Sequence, residues 1–112
     1  MSNRIFELRT YYTAPGKLAA LETRFRDHTL ALFRKHGLEV VGFFTPTDGD
    51  GVGNTLVYLM AFESRAAADA AWESFRADPD WIAAKAASEA DGPVVDRVES
   101  VFLDPTEYSA LR

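Results

Sequence analysis

The sequence predicts an α+β fold, a ferredoxin-like βαββαβ sandwich in which helices cover one face of an antiparallel four-stranded sheet. Three observations predict it. Hydrophobic spacing alternates between the period of a strand and that of a helix, in the order strand, helix, strand, strand, helix, strand. A short polar link over 46–54 joins the second and third strands, so they pair antiparallel, because a parallel pair needs a long crossover. The two helical stretches are amphipathic and each needs a sheet to bury its apolar stripe; the sandwich satisfies both at once.

The first strand and its turn occupy Arg4 to Lys17, RIFELRTYYTAPGK. Ile5, Phe6, Thr10, Tyr11, Tyr12 and Thr13 are β-branched or aromatic and suit a pleated, packed surface. Alternation puts Ile5, Glu7, Arg9 and Tyr11 on one face and Phe6, Leu8, Thr10 and Tyr12 on the other. Pro15-Gly16 ends the strand, since proline removes a ladder donor and glycine permits turn dihedrals.

Gly16 to His36 reads as a helix, with Leu18, Leu21, Phe25, His28 and Leu32 forming one stripe that Leu30 and Phe33 widen. Gly37 is placed to end it in the left-handed conformation. Leu38 to Thr45 is the second strand, with Val41 and Phe43 opposing Val40, Gly42 and Phe44. The third strand runs from Asn54 or Thr55 to Glu63 and is apolar on both faces. Ser64 is set to cap a second helix that carries Ala68, Ala71, Trp72 and Phe75 inward. Asp78-Pro79 restarts that helix, aspartate as cap and proline at the first position, and Trp81 and Ile82 anchor the extension. Gly92-Pro93 stops it, Val94 to Leu103 forms the fourth strand, and DPTEYSALR is a tail.

Composition narrows the function classes. The 112 residues amount to about one domain, large enough for a core without staples. With no cysteine, disulfides, thiolate metal sites and cysteine nucleophiles are excluded. A net charge of −5 argues against nucleic acid as a partner, which wants a clustered basic surface. No apolar run is long enough to span a membrane. The first strand begins about four residues from Met1, leaving no room for a signal or transit segment, so the expected compartment is the cytoplasm. Apolar residues on both faces of the second and third strands exceed what one helical layer covers. A second copy packed sheet to sheet removes that patch, so a homodimer is expected.

The charges placed in mid-strand are the candidate site. Arg9 can anchor a carboxylate or enolate oxygen, with Glu7 orienting it and Tyr11 as donor; or Glu7 and Arg9 form a structural ion pair, or a rim of the face that meets water. The Glu7–Arg9–Tyr11 set is expected on the helix side. His28, on the apolar stripe, is expected to face the sheet, as a base or haem ligand or as a hydrogen-bonded core residue. His36 lies nearer the helix C-terminal dipole. Trp72, with Phe75 and Trp81, can line a cavity or fill a core. The Asp48-Gly49-Asp50-Gly51 loop is no EF-hand, because Leu59 stands where the twelfth-position glutamate belongs. Its glycines form no dinucleotide motif either, because a strand follows them. No metal or other cofactor is expected.

The stretches FELRTYYTAPGK, RKHGLEVVGFFT and VYLMAFES, with DPDW and the closing DPTEYSALR, resemble the NIPSNAP family of the dimeric α/β-barrel superfamily. Together they span nearly the whole chain. Tyr58 and Met60 depart from the pattern, standing where a histidine and a tryptophan are expected, and Glu107 stands in a tail usually richer in proline. The resemblance implies a barrel formed by two subunits and ligands held between sheet and helices. It implies no particular reaction. The expected function is therefore binding of a small, anionic or aromatic molecule in that cleft. A cofactor-independent monooxygenase or isomerase is the first alternative, and a structural or partner-binding dimer the second.

Overall fold

The structure, a computed structural model, describes residues 4–112. The expectation about leader segments rests on the first three residues and lies outside that range. The elements run β1 (Ile5–Thr13), α1 (Leu18–Arg24), a π-helical turn (Phe25–Thr29), α2 (Leu30–Lys35), β2 (Glu39–Phe44), β3 (Thr55–Phe62), α3 (Arg65–Ala77), α4 (Pro79–Ser88) and β4 (Val95–Leu103). The sheet order is β2-β3-β1-β4, all neighbours antiparallel, which is the ferredoxin-like arrangement. The helices lie on one face, and the core between the layers includes Leu21, Phe25, Phe33, Leu56, Tyr58, Met60, Trp72 and Phe75. No helix among the described residues is long and apolar enough to cross a membrane.

The punctuation residues act as their chemistry dictates. Ser64 accepts a hydrogen bond from the Ala67 amide at 3.0 Å and starts α3. Asp78 ends α3 and accepts from the Asp80 amide at 2.8 Å to start α4, with Pro79 in the first position. Gly37 takes φ of 74°, so the Leu38 amide reaches the Phe33 carbonyl and the Gly37 amide the Arg34 carbonyl. Leu38 and Phe33, brought together by that turn, are both buried.

Two irregularities overturn the strict periodicities. On β2, the pairing steps from Val40–Met60 to Gly42–Leu59, leaving Val41 as an unpaired bulge. Val40 and Phe43 therefore share the core side, whereas simple alternation had set them on opposite faces; Val41 and Phe44 are exposed. In the first helix, the π turn holds one residue more per turn than an α-helix. One extra residue resets the stripe by roughly 100°. His28, expected to face the sheet, is consequently exposed, and Thr29 is buried in its place. The Thr29 hydroxyl donates to the Arg24 carbonyl (3.3 Å), supplying a partner inside the widened turn. Arg24, three residues after Leu21 and just ahead of the π turn, is buried with it, and Phe33 is buried beyond the turn as the stripe predicts.

Candidate functional site

β1 carries the candidate site on its helix-facing side. Glu7 pairs across the sheet with Met60, Arg9 with Tyr58 and Ser100, and Tyr11 with Leu56 and Val98. Glu7 and Arg9 are both buried, and each is held at every functional edge. The Arg9 guanidinium donates from Nε to the Tyr58 hydroxyl (2.9 Å), from one terminal nitrogen to Glu7 Oε2 (2.9 Å), and from the other to the Tyr11 hydroxyl (3.1 Å). Glu7 Oε1 accepts from Trp72 Nε1 at 2.7 Å, and Glu7 Oε2 also accepts from the Ser100 hydroxyl. Tyr58 donates to Tyr11 at 2.8 Å. The Trp72 ring lies 4.3 Å beneath the Arg9 guanidinium.

The charges in this network are fixed by their surroundings. Burial works against the Arg9 charge, but Tyr58, Tyr11 and the hydrogen bonds to Tyr11 and Glu7 outweigh it, raising the pKa above the ordinary arginine value. Burial, then Tyr11, pushes the Tyr58 phenol well above its ordinary value, so it is neutral at physiological pH. The carboxylate that faces Arg9 is Glu7, 2.9 Å away, and charge-assisted bonds of this kind are the strong ones. Sequence spacing revealed Glu7, Arg9 and Tyr11; it did not reveal Tyr58, Trp72 and Ser100 as their partners.

Beside the network opens a cleft of about 340 Å³ between the sheet and the helices. Arg9, Tyr11 and Trp72 form its floor; Phe75 and Trp81 add aromatic wall; Arg24, Arg76 and Lys85 bring positive charge; Glu89 and Asp96 bring two carboxylates. Arg97 also borders it, but its guanidinium lies 4.2 Å over the Tyr12 ring and 3.6 Å from Glu99. Arg24 was not singled out from the sequence, since an arginine in a charged helix carries no mark of burial. It bonds Ser88 Oγ at 3.1 Å and stands 5.3 Å from the Trp81 ring. Burial lowers its pKa, with Tyr11, Glu89 and Tyr58 opposing.

The histidines lie elsewhere. His28 borders an outer groove with Asp80, Ala83 and Ala87, outside the cleft that holds Arg9. His36 spans from the end of α2 to α3 and α4, with Nδ1 2.6 Å from Ser74 Oγ and Nε2 2.6 Å from Asp78 Oδ2. That trio has the residue types of a hydrolytic triad. Lys35 Nζ, however, lies 2.8 Å from the same Asp78 oxygen, and the other oxygen caps α4. Its chemistry is that of a latch between helices. No group of three or more acidic or histidine side chains among the described residues is placed to hold a metal ion.

Fold and site together define a ferredoxin-like α+β domain whose sheet–helix cleft is aromatic and basic. The chain belongs to the NIPSNAP family, whose model matches residues 6–110. Among solved structures, a NIPSNAP family protein of unknown function from Agrobacterium tumefaciens is 24% identical, with a TM-score of 0.85 over 98% of this chain and 95% of that one. An uncharacterised NIPSNAP domain protein from Burkholderia xenovorans is 26% identical, TM-score 0.80, over 94% and 97%. A putative antibiotic biosynthesis monooxygenase from Nitrosomonas europaea shares the fold at 15% identity, TM-score 0.60, over 89% and 96%. No curated protein matches the sequence significantly.

Proposed function

We propose that this protein binds a small anionic, aromatic molecule in the sheet–helix cleft, as a homodimer joined through the outer sheet faces. The observation that carries the reading is the lining. In a chain of net charge −5, one cleft gathers Arg24, Arg76 and Lys85 beside Trp72, Phe75 and Trp81. Among the described residues none of those three cations lies within 4.0 Å of a carboxylate. Focused positive potential favours an anion, and aromatic walls favour a flat apolar body. The buried Glu7–Arg9 network then serves as a rigid floor that fixes Trp72 and Tyr11.

Trp72 and Trp81 both border the cleft, so occupancy is readable in intrinsic fluorescence. A screen of aromatic carboxylates and phosphates against their neutral counterparts tests the reading. Saturable fluorescence change and a raised melting temperature are expected for anions; a panel in which no anion moves either signal overturns it.

A catalytic reading, as a cofactor-independent monooxygenase or isomerase, draws on one feature. The Tyr11 hydroxyl edges the cleft and is tied to Tyr58 and Arg9, a phenolic donor set against a cation. Such a group can protonate or hold an enolate oxygen. Oxygen uptake or isomer formation with the molecules found in the screen, lost in Tyr11→Phe, separates catalysis from binding.

A further inference from the structure

We propose that Arg24, and not Arg9, receives the anionic group of the cleft's ligand, and that this group is a carboxylate held along one edge of the guanidinium. The inference rests on the cleft-binding reading above and names its recognition chemistry. Arg9 has little left to offer, since all three of its nitrogens are committed to Tyr58, Glu7 and Tyr11.

Arg24 is the opposite case. The residue is only 4% exposed, yet its Nε has no hydrogen-bond partner. Its one hydrogen bond among the described side chains runs from NH1 to Ser88 Oγ. No carboxylate lies within 4.0 Å of it, although Glu89 and Asp96 border the same cleft. A buried donor without an acceptor is a standing cost, and native structures rarely keep one without a reason.

The geometry selects the acceptor. With NH1 given to Ser88, the edge of the guanidinium without a protein acceptor is Nε with NH2, two parallel N–H bonds that match the two oxygens of a carboxylate. Nε is closed to water, so receiving the anion on this edge requires the side chain to turn toward the cleft. Trp81, 5.3 Å from the Arg24 guanidinium, gives the ligand's aromatic body a surface next to its charge. Arg24 is presented by the backbone itself. It immediately precedes the π turn, and Thr29 bonds its carbonyl. Such turns recur at functional sites.

The test uses cinnamate as probe and cinnamyl alcohol as its neutral counterpart, titrated by calorimetry into wild type, Arg24→Lys and Arg24→Met. Cinnamate is expected to bind wild type about tenfold or more tighter than it binds Arg24→Met, and tighter than the alcohol binds wild type. Arg24→Lys should restore only part of the affinity, because it lacks the fork. In wild type, the Arg24 Nε–H resonance, assigned by its absence in Arg24→Lys, should move downfield as cinnamate saturates. Equal cinnamate affinity in wild type and Arg24→Met overturns the role of Arg24 and leaves cleft binding standing. Equal affinity for acid and alcohol overturns anion recognition. No binding of either probe by wild type overturns this carboxylate assignment, while the cleft reading stands or falls with the full panel of aromatic carboxylates and phosphates. If Arg24→Met does not fold, the wild-type resonance decides, and an unmoved Nε–H under saturating cinnamate overturns the proposal.

Discussion

Glu7 and Arg9 stand two residues apart on one strand, their charges buried together under α3. Taking an ion pair out of water is costly, and here five neighbouring polar contacts offset that cost, from Tyr11, Tyr58, Trp72, Ser100 and the pair itself. Removing one member leaves the other charge buried without its counterion. Arg9→Met is therefore expected to cost about 3–5 kcal/mol in urea unfolding, as is Glu7→Leu, with the double variant recovering much of the loss. Additive losses in the cycle would show that the two side chains act separately. The pairing itself was legible, because strand alternation forces residues 7, 9 and 11 onto one face. The partners were not, since they arrive from 49, 65 and 93 residues along the chain.

At the scale of the element, the first helix shows where periodicity misleads. His28 fits an ideal α-helical stripe, but the π turn exposes it and buries Thr29. Thr29→Val keeps the shape and removes the hydroxyl that bonds the Arg24 carbonyl. It is expected to lower stability by about 1 kcal/mol in thermal unfolding, while Thr29→Ser is near neutral. The junction of α3 and α4 has its own signature. Asp78 is held well below the usual carboxylate range, first by the hydrogen bond from Lys35, then by His36 and the Asp80 amide. A depressed folded-state pKa contributes stability above the unfolded value near 3.9, which is lost as the pH falls through that value toward the folded one. The stability difference between wild type and Asp78→Asn should accordingly shrink as the pH drops below about 4. A difference unchanged down to pH 2 would remove Asp78 from the acid limb.

At the scale of the molecule, the face of the sheet turned away from the helices is where the proposed assembly can be tested. Leu8, Val57, Leu59, Val101 and Leu103 share it by register, with Phe44 59% and Val101 50% exposed. Phe6 lies on the same face but is already buried, with Arg4 5.5 Å over its ring. A homodimer packed through this face is expected to give twice the chain mass by light scattering at micromolar concentration. Leu8→Asp or Val101→Glu should dissociate it, because either places an unpaired charge in an apolar contact. A monomeric mass for wild type would refute the dimer.

The fold was written in the sequence because its determinants are local. Alternation over Ile5 to Thr13, the caps at Ser64 and Asp78, the stop at Gly37 and the short link over 46–54 each act within a few residues. Those signals also set Glu7 and Arg9 side by side. Tertiary structure decided what local rules cannot. The bulge at Val41 and the π turn at Phe25–Thr29 are single-residue departures whose cost is repaid only by packing against the other layer. Through them Phe43 joined the core and His28 left it. A periodic pattern fixes which face a residue shares until the backbone gains or loses one residue, and that choice belongs to the packed molecule.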